Sequence, residues 1–376
     1  MYIAVLFVTE GMKKMKNPFI STTHMGREYL TSNCSLNKIK IAKLPLNGIE
    51  DELEGMTFKE IFGAGQIIEE IKQHADELHI TLDDYKEMDL PKLLDHRVMQ
   101  GNIRAEMIAK KYGNRLGMLL LTLKTGLPEN RAARNDWNDE HWEYWAKLKT
   151  IILSGGLACG VMGKYMVDVA YDVFARAGVK PYKIIRNDNN SKTGAFGCLT
   201  QVGGKEKVHI VFDLGQTKIK RVIAINDEHK QQQLIELPSV KSINMAWNVE
   251  NDEDRLLQAR ELHKYIVDVI VDTYNQATEY GEVGWEICIS IANYVMDGQI
   301  FSGRGGYAKL SEIGENYAGI LAADLEKALD RNIMIRLIHD GTAAALFFKD
   351  EKDVACITLG TALGVGFPEI NLKGKK

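Results

Sequence analysis

The chain has 376 residues, 45% hydrophobic and 26% charged, with a formal net charge of -4 and a pI near 6.2. That length accommodates two domains with substantial cores, and the acidic balance offers no broad basic surface, which argues against a nucleic-acid partner. The opening apolar run Tyr2 to Val8 spans only seven residues and is followed by Lys13 and Lys14, so it reads as a strand rather than a signal or spanning helix, and no membrane partner is expected.

From about Thr57 to Leu127 apolar residues recur at helical spacing, from Phe58, Ile61 and Phe62 through Ile67 and Ile71 to Leu116, Leu119 and Leu123. Gly63–Gly65, Asp89–Pro91 and Gly126–Pro128 divide this helical insert into pieces. The aromatic run Trp137, Trp142, Tyr144 and Trp145 predicts a packed helix end before an apolar run that stops at Ser154-Gly155-Gly156. A helix is expected over Tyr165 to Arg176 and a short strand over Tyr182 to Ile185. Val208 to Leu214 and Lys218 to Ile225 then alternate as a hairpin with Asp213, Gly215, Thr217 and Lys218 around its tip. A long helix, Asp252 to Glu279, feeds the strand Glu286 to Ile291; a second, Ile320 to Leu329, feeds Met334 to Ile338. This rhythm predicts an α/β sheet covered by helices.

Five cysteines, Cys34, Cys159, Cys198, Cys288 and Cys356, form no Cys-x-x-Cys pair. They read as reduced side chains of a cytoplasmic protein, with no zinc expected.

The glycine turns carry the chemistry. Backbone N–H groups grip phosphate only where the chain approaches without a Cβ in the way. Gly215 with Thr217 and Lys218 forms one such turn, and Gly360, Thr361 and Gly364, after the apolar run ending in Leu359, form another. Asp213 would repel phosphates unless it binds Mg2+, directly or through water. Asp340 ends an apolar strand and opens a helix, which suits either a helix cap or a carboxylate facing a cleft.

These stretches, with Ile338 to Leu346, resemble the ATP-binding core of sugar kinases, actin and the large heat-shock chaperones, and within that superfamily the ROK family of sugar kinases. Asp213-Leu-Gly-Gln-Thr-Lys218 is similar to its Asp-x-Gly-Gly-Thr-Lys turn, with Gln216 for the second glycine. Asp340 to Leu346 is similar to its Asn-Asp-Ala-Asn-Ala-Ala-Ala-Leu segment, with His339 for the first Asn, and Leu359 to Gly366 to its second phosphate turn. In the family the adenosine-binding Gly-Gly turn comes last, whereas Ser154, Gly155 and Gly156 come first here. The resemblance therefore implies a two-lobed actin/hexokinase-like (RNase H-like) ATPase fold, circularly permuted. One lobe would be residues 1–205, completed by 347–376 and carrying the insert of about 57–127; the other would be 206–346.

The resemblance further implies ATP and Mg2+ as cofactors, Asp340 as the general base and a sugar-like small molecule as the acceptor. Asn293, His24 and Glu28 are the candidate acceptor contacts, and the loop Gly303 to Gly306 a candidate cover. An ATPase or nucleotide-dependent switch on the same scaffold, and a sugar-sensing regulator, are the alternative readings. A homodimer is left open.

Overall fold

A computed structural model of the chain describes residues 16–374, apart from 49–51, 189–192, 204–205, 227–231, 247–248, 250 and 304. The expected strand Tyr2 to Val8 and Arg304 of the glycine loop lie outside the described residues.

The amino-terminal half begins with the small hairpin β1 (Ile20–Thr22) and β2 (Glu28–Leu30), followed by six helices: α1 (Phe58–Ile61), α2 (Ala64–Gln73), α3 (Leu90–Met99), α4 (Ile103–Thr125), α5 (Pro128–Ala132) and α6 (Asp139–Lys147). Gly126 ends α4 in the left-handed conformation at φ 51°, the conformation that glycine adopts without a Cβ penalty. The aromatic run is buried: Trp137 and, on α6, Tyr144 and Trp145 surround Phe19, which stacks on Phe367 at 5.6 Å, while Trp142 packs on Trp137. The core under the carboxyl-terminal segment is thus built partly from the start of the described chain. β3 (Thr150–Ser154), α7 (Gly160–Ala177), β4 (Lys183–Arg186) and α8 (Thr193–Leu199) follow. Helix α4 docks on α7 through Gly113 and Gly117, where a Cβ would lie 2.7 Å from Val169 and from Val173 respectively. One glycine face four residues apart thereby brings two helix backbones close.

The second half runs β5 (Val208–Leu214), β6 (Lys218–Asn226), β7 (Gln232–Lys241), α9 (Asp252–Ala277), β8 (Glu286–Ile291), the short hairpin β9 (Val295–Met296) and β10 (Gln299–Ile300), α10 (Tyr317–Leu329), β11 (Met334–His339), α11 (Asp340–Leu346), β12 (Val354–Leu359) and β13 (Leu363–Gly366). Two larger sheets result. The first has the order β11-β8-β5-β6-β7, with β5, β8 and β11 parallel and β5-β6-β7 an antiparallel meander. The second has the order β13-β12-β3-β4, with β12, β3 and β4 parallel and β12-β13 an antiparallel hairpin. The two repeat one pattern, a hairpin whose first strand continues into two parallel strands. They differ in chain order, because the second sheet receives its parallel strands before its hairpin. The protein is therefore a mixed α/β structure.

Helices cover the first sheet on one face: Phe212, Ile210 and Ile223 pack with Leu262 and Ile266 of α9 and Leu321 and Leu325 of α10. Val211, Val222, Cys288 and Ile338 point to the other face and join the core of the second half-structure, with Ala195 and Cys198 of α8 and Ala343 of α11. Each sheet's last parallel strand leads to a short helix, and these two, α8 and α11, pack against each other. Small residues make that approach possible. A Cβ on Gly197 would overlap the Ala343 carbonyl oxygen, and one on Gly341 would overlap the carbonyl oxygen of Val365 in β13.

Gly197→Ala should therefore destabilise the protein by on the order of 1–3 kcal/mol, because backbone rather than a side chain must move. Gly65→Ala on α2, where a Cβ meets nothing within 4 Å, should be neutral or stabilising by up to about 1 kcal/mol. Urea unfolding of both variants checks the contrast; equal midpoints would show that the α8–α11 contact yields freely.

Candidate functional site

In an antiparallel pair, residues directly opposite share a face. Asp213 on β5 lies opposite Lys220 on β6 and, in the parallel direction, opposite Ser290 on β8. All three side chains meet. Lys220 Nζ is 2.9 Å from Asp213 Oδ2, and Ser290 Oγ donates to Asp213 Oδ1 at 3.0 Å. Across from the sheet stands α8, where a Cβ on Gly194 would be 3.5 Å from the Asp213 carboxyl carbon. The lysine that reaches Asp213 is thus Lys220; Thr217 and Lys218 lie exposed at the hairpin tip. The turn itself is well held: the Gly215 carbonyl accepts from Ser242 Oγ at 2.7 Å and from Tyr307 Oη at 3.0 Å, and Gln216 Nε2 donates to the Ala292 carbonyl at 3.2 Å.

Asp340 is the first residue of α11, directly after β11. Its role is not that of the cap. His339 occupies the cap position and accepts the Thr342 N–H through Nδ1 at 3.2 Å, while Asp340 Oδ1 accepts from the Gly341 N–H at 2.7 Å. The Asp340 side chain is partly enclosed by protein, with 40% of its surface open. Burial, reinforced by the Asp213 charge, raises its carboxyl from the ordinary 3.8 to about 7, against the lowering influence of the Gly341 N–H and Lys220. Lys220 is in turn pushed above its usual value, chiefly by Asp213 and also by Asp340. Two carboxylates and one ammonium therefore act on one another between β5, β6 and the start of α11.

The other two glycine turns adjoin each other. Gly155 has φ 95°, and a Cβ there would overlap the Leu359 backbone. Leu157 donates its N–H to the Leu359 carbonyl at 3.3 Å. Gly360 accepts the Ala64 N–H at 2.9 Å, which docks the start of α2 on the β12–β13 turn. Asn37 grips the hairpin from the side, donating to the Leu363 carbonyl at 2.7 Å and accepting its N–H at 3.0 Å. Thr361 and Ala362 stay exposed at the tip, and a Cβ on Gly360 would find its nearest neighbour only at 3.8 Å. Gly364 lies on β13 within the hairpin. β13 also packs on Gly341, beside Asp340, and α8 on Asp213.

Several expected contacts are committed elsewhere. Ser154 is buried, with Oγ 3.1 Å from Thr358 Oγ1, so on the adenosine side only the backbone of Gly155 and the exposed Gly156 remains. The amino terminus of α7 is taken by Asp95, whose carboxylate accepts the Met162 N–H at 2.7 Å. On the acceptor side, Asn293 Nδ2 donates to the Phe301 carbonyl at 3.1 Å and its Oδ1 accepts the Tyr294 N–H at 2.7 Å. Glu28 accepts the Asn371 N–H at 2.7 Å and secures the carboxyl-terminal segment. His24 is exposed in the Thr23–Arg27 turn. A cavity of about 390 Å³ runs along the edge strand β11, with Glu28 and His339 in its walls.

Lys220, Asn37 and His339 are the residues that sequence reasoning missed or left without a role. The first had a readable signal: a lysine opposite an aspartate across a hairpin. No helix among the described residues is long and apolar enough to cross a membrane. No protein-family model matches the sequence, and no curated protein matches it.

A carboxyl whose folded value exceeds its unfolded value binds more protons when folded, so it costs stability progressively as pH rises from about 4 to about 7. Asp340→Asn removes that cost. Its thermal midpoint should exceed the wild type's at pH 8, with the difference shrinking as pH falls toward 4; a difference independent of pH would place the Asp340 carboxyl in an ordinary environment.

Proposed function

We propose that the chain is an ATP-dependent phosphotransferase with the two-lobed actin/hexokinase-like fold, circularly permuted, acting on a hydroxyl of a sugar-like metabolite. The observation that carries this reading is Asp340 directly after β11, raised to about 7 within reach of the Asp213 charge and followed by Gly341, which packs on β13. The repeated sheet pattern with reordered strands supports the fold assignment. Strand ends at a change of connection are where open α/β sheets bind ligands. The free cysteines suit a reducing, cytoplasmic setting.

The residues present fit a magnesium nucleotide. Gly360 and Gly194 leave room where a side chain would intrude, and the exposed Thr217 and Thr361 offer hydroxyl donors from opposite hairpins. Among the described residues no group of three or more His, Cys, Asp or Glu side chains stands ready for a metal ion, so Asp213 would be the protein's contribution to a cation held otherwise by phosphate and water. Bound Mg2+ would neutralise phosphate charge during transfer. If Asp213 held the cation, Lys220 would be released from its ion pair with Asp213 and would be free to donate to phosphate oxygen. Asp340 orients an acceptor hydroxyl and takes its proton; a carboxyl near 7 is well matched to that exchange at neutral pH.

One observation favours the ATPase reading as a second possibility. Asn293 and Glu28, expected on the acceptor, are spent on internal hydrogen bonds. If the first reading holds, acceptor-dependent ADP release across a panel of hexoses, acetylated amino sugars and polyols should fall by roughly 10²–10⁴-fold in Asp340→Asn while ATP binding survives. Lys220→Met should weaken turnover more than binding. ADP release indifferent to every acceptor would hand the chain to the ATPase reading.

A further inference from the structure

The first glycine turn departs from an ordinary hairpin in one hydrogen bond. β5 and β6 are joined through Gln216 and Thr217, so Gly215 and Lys218 close the ladder, and such a pair normally exchanges both main-chain bonds. Here only one is made: the Gly215 N–H donates to the Lys218 carbonyl at 3.1 Å. The Gly215 carbonyl turns away and accepts from Ser242 Oγ at 2.7 Å and from Tyr307 Oη at 3.0 Å. Ser242 also grips the other side of the tip, since its N–H donates to the Thr217 carbonyl at 3.1 Å. A peptide unit is planar and trans, so its N–H points opposite to its carbonyl. With the Gly215 and Thr217 carbonyls both held by Ser242, the N–H groups of Gln216 and Lys218 are aimed away from it, and among the described residues nothing accepts them.

We infer that Ser242 and Tyr307 are positioning residues that set the polarity of this turn: they hold its carbonyls inward and leave the Gln216 and Lys218 N–H groups as a ready pair of donors for an anionic oxygen. Their hydroxyls take the acceptor that Lys218 would otherwise use. Ser242 directly follows β7, the strand paired with β6. Tyr307 lies in the buried 3₁₀ segment Gly306–Glu312, which comes close because Gly306 rests on Met245; a Cβ there would be 2.5 Å from the Met245 Cα. The Gln216 side chain donates to the Ala292 carbonyl at 3.2 Å, so it does not fold back over its own N–H. The inference rests on the phosphotransfer reading only for the identity of the anion, a nucleotide phosphate; the polarity of the turn stands without it.

Hydrogen exchange at the Lys218 amide tests the geometry apart from activity. In wild type that amide should exchange as fast as an unbonded one. In the Ser242→Ala, Tyr307→Phe double variant the released Gly215 carbonyl can take the Lys218 N–H and close an ordinary hairpin, so exchange should slow by roughly tenfold or more, whereas loosened packing alone would speed it. Ser242→Ala alone keeps the Tyr307 donor and should slow exchange by a smaller factor, which serves if the double variant does not fold. With Mg2+ and a non-hydrolysable ATP analogue, the Gln216 and Lys218 amide protons of wild type should move downfield, and the double variant should bind about tenfold more weakly. A Lys218 amide protected in wild type, one not slowed in whichever variant folds, or an analogue that binds without moving either resonance would overturn the inference. Failure of wild type to bind the analogue would overturn the phosphotransfer reading alone, because exchange still decides the polarity of the turn.

Discussion

Burying a carboxylate beside a second one is unfavourable, and the donors around Asp213 and Asp340 answer that cost. Both side chains are partly shielded by protein, Asp213 more than Asp340, so each charge depends on nearby donors. Asp213 has Ser290 and Lys220, both supplied by strict strand register: one opposite on the parallel neighbour, one opposite on the antiparallel neighbour. Asp340 has the Gly341 N–H, and the cost of its burial beside Asp213 appears as a carboxyl raised to about 7. Such a group weakens the fold at neutral pH. Proteins retain groups of this kind where reactivity is wanted more than stability.

The crevice exists because small residues bring its walls together elsewhere. Gly197 against Ala343, Gly341 against Val365 and Gly155 against Leu359 are contacts of backbone on backbone, each closed to any side chain. The first two join the helix after one sheet to the helix and hairpin of the other, and the third closes the turn after β3 onto β12 within the second sheet. At Gly194 the logic is reversed, since the space left by the missing side chain faces Asp213. Glycine therefore serves two purposes in these elements: it seals the contact between half-structures and leaves the site open.

Much of the architecture was legible because it is written in alternation. Val208 to Leu214 and Glu286 to Ile291 carry β-branched and apolar residues through buried strands, and the long apolar stripe of α9 spans seven turns with an Asn251 cap. Strand β7 escaped notice because Pro238 interrupts it. It is an edge strand, where a missing donor is tolerated, and the register shifts between Ile219 and Arg221 while the Arg221 guanidinium binds the Pro238 carbonyl. Asn37 on the second hairpin, Asp95 on the α7 terminus and the Tyr294–His339 stack join residues far apart in the chain, and no local pattern announces them. The acceptor-side expectations for Asn293 and Glu28 met the same obstacle: a polar residue's type does not reveal whether a backbone group has already claimed it.

The most direct test of the account is a crystal structure determined with Mg2+ and a non-hydrolysable ATP analogue. The account places the phosphates between the turns at Gly215–Lys218 and Gly360–Gly364, the cation within direct or one-water reach of Asp213, and Lys220 withdrawn from that carboxylate. An analogue bound at another surface, or the Asp213–Lys220 pair unchanged with nucleotide present, would contradict it.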